Sequence, residues 1–249
     1  MYHGAPVLAS IAALRSGSDL VYAAVPRSLA NAVRSYSPVV ITLPLDNDRL
    51  TYRSSSRLIS IMPDHMDAAA IGMGMTLEPQ ALFKIISHLK KARTKILLDA
   101  SALIPQVLEE ISGTGSIITP HAGEFKRLFG FLPGNSKDEI ISNVVKVARE
   151  YRITIALKGP VNVVSDGQQT AAIKRSTPAM TVGGTGDVLA GLTAGLIAKN
   201  MKPFDAAVAG LYINGIAGRI AFEEKGLHMI ATDLVDRIPE AFKPFDRVE

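Results

Sequence analysis

Residues 177-TPAMTVGGTGDVLAGLTAGLIAKN-200 set Gly183, Gly184, Thr185, Gly186 and Asp187 directly ahead of a long run of small and apolar residues. The run from Asp187 to Asn200 shows helical rather than alternating patterning and predicts a helix. A helix amino terminus has free backbone N–H groups and a partial positive charge, so it attracts phosphate. Glycines there let a phosphate approach the backbone and permit positive φ angles. Asp187 stands against this, because a carboxylate repels a bound phosphate. The conflict is tolerable if Asp187 instead faces an acceptor hydroxyl and takes its proton. The plainer alternative is that Thr185 or Asp187 only caps the helix.

Outward from this turn, strand and helix signals alternate. Pro6 to Ser16 reads as a helix closed by Gly17, followed by short buried strands at 20–25 and 38–43 with a helix at 27–36 between them. The polar stretch 44–60 reads as an irregular excursion. Strands at 68–72 and 95–100 flank a helix at 78–91, and a strand at 116–119 precedes helices near 122–129 and 137–151. The segments 153–159, 161–167 and 169–174 read as strands, the last two joined through Asp166 and Gly167 as an antiparallel edge hairpin. Helices at 187–200, 203–224 and 231–241 complete the chain. Such alternation predicts a mostly parallel sheet covered on both faces, and residues 1–249 read as one domain. Ligands of these sheets sit at the carboxyl ends of the strands, where loops enter helix amino termini.

Composition narrows the functional classes. Of 249 residues, 47% are hydrophobic and 20% charged, which suits a folded domain and not a disordered chain. The net charge of +4 comes without a dense basic block, so no nucleic-acid partner is expected. With no cysteine there is no disulfide, thiolate metal site or cysteine nucleophile, and a reduced, cytoplasmic setting is expected. No apolar run is long enough to predict a membrane span, and the first residues lack a basic lead-in, so they read as part of the fold and not as a signal peptide.

Several further segments carry a family likeness. The stretch 183-GGTGDVLAGLTAGLIA-198 closely resembles the C-terminal signature of the nucleotide-dependent NAD(P)H-hydrate dehydratases, members of the ribokinase-like superfamily. Also similar are 119-TPHAGEFKRL-128, 96-ILLDASAL-103, 156-ALKGPVNVVSDG-167, 4-GAPVLASIAALRSGSDLV-21 and 227-LHMIATDLVDRIP-239, in the family's order and over essentially the whole chain. The resemblance implies a three-layer α/β/α ribokinase-like fold with a mostly parallel central sheet and an antiparallel edge hairpin. It implies dehydration of the S-form of hydrated NADH or NADPH, with ADP or ATP as phosphate donor, Mg2+ as cofactor, and a homo-oligomer of four or more subunits. No separate epimerase domain is encoded in these residues.

The same resemblance assigns roles. Asp187 would be the base on the substrate hydroxyl, and the N–H groups around Gly184, Thr185 and Gly186 would hold the transferred phosphate. His121, with Ala5 and Gly74, would contact the hydrated nicotinamide nucleotide; from spacing alone, a histidine at a strand end is as readily structural. Lys158, Gly159, Pro160, Val161 and Asn162 would line the nucleotide. Glu124 would orient a water of the magnesium ion, or simply sit in a first helical turn, where carboxylates are favoured. Asp99, ending a buried strand, needs a cation or hydrogen-bond donors and would support the phosphate region.

The chain also departs from the family. A further strand and V-I-G-G-S loop normally precede Y-x-G-A-P, and without them the sheet would lack a central strand. The turn 72-GMGMT-76 stands where G-P-G-x-G is usual, and Arg219 reverses a charge. The phosphate turn is intact. A related small-molecule kinase, of the hydroxymethyl-pyrimidine or thiazole type, and a non-catalytic nucleotide-binding homologue are the competing readings.

Overall fold

The computed structural model describes residues 3–174 and 177–247; Met1, Tyr2, Arg175, Ser176, Val248 and Glu249 lie outside the described residues. The chain enters through α1 (Gly4–Arg15), β1 (Val21–Pro26), α2 (Arg27–Tyr36), β2 (Val40–Leu45) and α3 (Tyr52–Ile61). Next come β3 (Ala68–Ile71), α4 (Pro79–Lys91), β4 (Lys95–Leu98), α5 (Val107–Ile111), β5 (Ile117–Ile118), α6 (Ala122–Phe129) and α7 (Lys137–Tyr151). Strands β6 (Thr154–Leu157), β7 (Val161–Ser165) and β8 (Thr170–Lys174) lead to α8 (Thr185–Ala198), α9 (Pro203–Lys225), α10 (Ala231–Asp236) and α11 (Ile238–Phe242).

The main sheet has the order β3-β4-β5-β6-β7-β8. Pairing is parallel from β3 to β6 and antiparallel across β6-β7-β8, the expected edge hairpin. Strand side chains alternate between faces, and the sequence uses both. Ile71, Leu98, Ile118 and Ile155 pack with Leu82, Ile86, Phe125 and Val147 of α4, α6 and α7. Leu97, Ile117, Ala156 and Val164 pack with Leu189, Ala190, Ala207 and Leu211 of α8 and α9. The result is the three-layer α/β/α sandwich.

Strands β1 and β2 pair parallel with each other in a separate two-stranded sheet, whose Ala23, Val25 and Val40 meet α1 and α2 through Val7, Ala30 and Val33. A cavity of about 650 Å3 lies between this ribbon and β3, lined by Tyr22, Ala24 and Leu43 on one side and by Ala68, Ala70 and Gly191 on the other.

Helix α8 runs through the middle of the molecule, with every residue from Val188 to Ile197 buried. A helix apolar all round needs neighbours on every side, and it has α1, α9 and β3. Its glycines set the closeness. A Cβ at Gly191 would stand 2.0 Å from the Ala9 carbonyl oxygen, and one at Gly195 would stand 2.8 Å from that of Ala13. The helices therefore run in the same direction in near backbone contact.

Two expectations need correction, and one helix had no counterpart among them. Residues 52–61, read as irregular, form α3: Thr51 and Ser54 make a reciprocal capping box, and Ser55 and Ser60 hydroxyls donate back to Tyr52 and Arg57 carbonyls within the helix. Residues 231–241 are two short helices, because Pro239 cannot continue α10 and instead starts α11. Helix α5, five residues long, was not anticipated at all. No helix among the described residues is long and apolar enough to cross a membrane.

Candidate active site

The carboxyl ends of β4, β5 and β6 bring four elements to one rim. Beyond β5 and β6 the chains stay paired, with an isolated parallel bridge between His121 and Lys158 and a 2.7 Å bond from the Lys158 N–H to the Pro120 carbonyl. This extension carries Lys158 back toward the end of β4. There its ammonium donates to Asp99 Oδ1 at 2.8 Å and stands 4.0 Å from Glu124 Oε2. Asp99 is only 2% exposed, so its charge needs this partner.

His121 and Glu124 open α6 with a reciprocal cap. The His121 N–H donates to Glu124 Oε2 at 2.9 Å, while the imidazole Nδ1 accepts from the N–H groups of Gly123 and Glu124 at 3.0 and 3.2 Å. Accepting at Nδ1 places the ring proton on Nε2, which lies 3.6 Å from Glu124 Oε2 on an exposed side chain. Gly123 leaves room for this fold-back, since a Cβ there would lie 3.0 Å from His121 Cε1. Glu124 is thus buried in a first-turn cap and within reach of Lys158.

Helix α8 enters the same rim. Its N-cap is Gly184, at φ +95°, and no side chain caps the helix. The Thr185 hydroxyl is occupied elsewhere, donating to the Met180 and Val182 carbonyls. The first helical bond runs from the Val188 N–H to the Gly184 carbonyl, which leaves the N–H groups of Thr185, Gly186 and Asp187 at the open end. A Cβ at Gly186 would be 3.5 Å from Lys158 Nζ and 4.0 Å from Asp99 Oδ2. The helix terminus and the lysine therefore share one small space. Beside them, the Asp187 carboxyl is pushed up to about 6, first by burial and then by the Asp99 charge, with Lys158 pulling the other way.

The remaining assigned residues surround this centre at different distances. The turn after Lys158 is closed by the Gly159 N–H donating to Asn162 Oδ1 at 3.1 Å, with Pro160 exposed and Val161 half-buried at the start of β7. Ala5 is buried in α1 one turn before Ala9, which places it toward the first turn of α8. Gly74, at φ +65°, belongs to the turn after β3 and lines the cavity between the sheets. Among these residues that cavity includes only Gly74. We place the site at Asp187 instead, because the titratable groups and the helix terminus converge there. Sequence reasoning gave no role to Ser101 or Arg127, whose hydrogen bonds hold the loop after Asp99. The only signal was the position of Arg127 within TPHAGEFKRL.

For magnesium the protein offers little directly. Among the described residues no group of three or more acidic or histidine side chains could hold a metal ion. Asp99 and Glu124 are both drawn to Lys158. Such a donor set fits an ion carried mainly by nucleotide phosphates, with at most a water-mediated carboxylate contact.

A helix terminus, a lysine and a half-buried carboxyl meet at the strand ends of this three-layer sheet, and the class of fold is ribokinase-like. A ribokinase-like superfamily protein from Enterococcus faecalis matches it with a TM-score of 0.74 at 20% identity, covering 98% of this chain and 84% of that one. The ADP/ATP-dependent NAD(P)H-hydrate dehydratase of Bacillus subtilis matches with a TM-score of 0.83 at 23% identity, covering 98% and 88%. The family model for NAD(P)H-hydrate dehydratase matches residues 1–240, and the chain belongs to that family. The ADP-dependent (S)-NAD(P)H-hydrate dehydratase of Nitrosopumilus maritimus is 48% identical over 249 residues, covering 100% of this chain and 87% of its own.

Proposed function

We propose that this protein restores NADH or NADPH from the S-form of its hydrate, with ADP as phosphate donor. The observation that carries the reading is Asp187, a carboxyl pushed up to about 6 at the uncapped start of α8, beside the Lys158–Asp99 pair. Hydroxide leaves a ring slowly and phosphate leaves readily, so phosphorylation converts a difficult dehydration into an easy elimination. Asp187 takes the proton of the ring hydroxyl as its oxygen attacks the terminal phosphorus of the nucleotide. The phosphoanhydride bond breaks and, with ADP, AMP departs. Elimination then cleaves the bond between ring carbon and phosphate oxygen, a proton leaves the neighbouring carbon, and the ring double bond returns.

During transfer the N–H groups of Thr185, Gly186 and Asp187 face the phosphoryl oxygens, and the Lys158 ammonium offsets their charge. Gly159 to Asn162 form the floor for the rest of the nucleotide, while His121, Ala5 and Gly74 lie on the substrate side. Magnesium, where bound, would screen the phosphate charge, with Glu124 as its water-mediated partner. The choice of ADP rests on the name of the Nitrosopumilus maritimus relative. An ATP/Mg2+ co-crystal of the Bacillus subtilis protein supports a nucleotide and magnesium together.

The test is an absorbance assay. Protein, hydrated NADH, magnesium and either ADP or ATP are mixed, and the return of dihydronicotinamide absorbance is followed. Recovery that requires nucleotide, faster with ADP, is the expected result. Binding of nucleotide without recovery would move the reading to a kinase of another small alcohol or to a non-catalytic homologue.

A further inference from the structure

The loop that follows Asp99 is held from two sides. Its first residue, Ala100, has φ +49°, a left-handed conformation unusual for alanine. On one side the Ser101 hydroxyl donates to the Gly72 carbonyl at 2.8 Å, and Gly72 lies so close that a Cβ there would stand 1.8 Å from the Asp99 carbonyl oxygen. On the other side a single guanidinium spans the loop. Arg127 Nε donates to the Leu103 carbonyl at 3.0 Å and its terminal nitrogen donates to the Ala100 carbonyl at 3.1 Å.

Arg127 belongs to α6, the helix whose first turn carries His121 and Glu124. It therefore ties the helix bearing Glu124 to the loop bearing Asp99, and Lys158 lies between those two carboxylates. Arg127 is exposed, yet its guanidinium is spent on two backbone carbonyls and forms no ion pair among the described residues.

We infer that Arg127 is a positioning residue for this reaction: it holds Ala100 left-handed and so keeps Asp99 aimed at Lys158 and the start of α8. The inference rests on the proposed function for its kinetic arm only. Without the guanidinium, Ala100 relaxes toward an ordinary right-handed or extended conformation and Asp99 turns away from the lysine. Glycine at position 100 has no such preference, so the remaining bonds of the loop can hold it in place.

The experiment compares wild type, Arg127→Met and the double variant Arg127→Met/Ala100→Gly. In the nucleotide-dependent assay Arg127→Met should lower kcat by about tenfold or more while KM for ADP changes little, as a small misplacement of a site group does. The double variant should recover most of that loss. In parallel, hydrogen–deuterium exchange at the Ala102 and Leu103 amides, which bond to the Asp99 and Ala100 carbonyls, should quicken in Arg127→Met and slow again in the double variant, with α7 unchanged. A merely stabilising arginine would lower the melting temperature, speed exchange generally and gain nothing from glycine; that pattern overturns the inference. So does unchanged exchange at Ala102 and Leu103. If wild type itself lacks nucleotide-dependent activity, the proposed function fails, and the exchange comparison still decides the role of Arg127.

Discussion

At the level of single residues, the proposed chemistry centres on Asp187. Burial and the Asp99 charge both oppose its ionisation, and Lys158 favours it, so its carboxyl is pushed up to about 6. In the proposed reaction the base must be ionised, so kcat/KM should fall as pH drops through about 6. Asp99→Asn removes the second of the two causes and leaves Lys158 in place, and the acid limb should move to lower pH. A pH–rate profile of the two proteins checks this. Asp187→Asn should cost about 100-fold or more in kcat while ADP still binds; survival of activity would show that another group takes the proton. Stability should shift the opposite way. A carboxyl whose folded-state value is raised contributes stability below its ordinary value of 3.8 and loses it as pH rises through about 6. Asp187→Asn should therefore melt higher than wild type at pH 7.5, by on the order of 1 kcal/mol after discounting its partial exposure, and the difference should close toward pH 4. Thermal melts at the two pH values measure it. From the chain alone Asp187 was legible, because a carboxylate after a glycine turn is chemically odd. The Asp99–Lys158 pair was not, because its members are separated by 59 positions and meet only through the β5–β6 bridge.

Among the elements, α8 decides most. Its small residues let α1 come into near backbone contact, and its glycine N-cap turns the chain without placing a side chain over the free N–H groups. Gly184→Ala must adopt φ +95° and bring a Cβ to 2.8 Å from both Ala231 Cβ and Leu8 Cδ1. It should destabilise by about 1–3 kcal/mol and weaken ADP binding, measured by denaturant unfolding and calorimetry. At Gly191 the obstacle is backbone: the Cβ would stand 2.0 Å from the Ala9 carbonyl oxygen. Gly191→Ala should separate α1 from α8 and raise KM for the hydrate more than for ADP, because α1 carries Ala5. Equal effects on both would count against Ala5 as a substrate contact. Helix α8 could be read from its composition, while α3 could not. Only Ser54, Ser55 and Leu58 of α3 are buried, so it shows a weak apolar stripe, and its serines are satisfied by bonds back into the helix.

In the molecule as a whole, the split of the sheet matters. The cavity of about 650 Å3 between the β1–β2 ribbon and β3 is bordered largely by apolar side chains and, among the described residues, by strands that pair with nothing across it. A space of that size and character should admit an apolar dye in the folded state. We expect anilinonaphthalene sulfonate fluorescence to rise well below the unfolding temperature, and Ala24→Arg, which puts a charge into the cavity wall, to reduce it by at least half. No signal from the folded wild type would mean that the space closes in solution.

Taken by itself, the amino-acid sequence determined the alternation of strands and helices, the edge hairpin, the glycine turn at the head of α8, and the family. These are local features: hydrophobic period, turn residues and short motifs are written in neighbouring positions. Tertiary structure alone decided which charges meet, how closely α1 lies on α8, that Glu124 caps its own helix beside Lys158, and that one arginine holds the loop behind Asp99. Those outcomes depend on strand register and helix packing, which join residues far apart in the chain, and a buried carboxylate acquires its chemistry from whatever that packing places beside it.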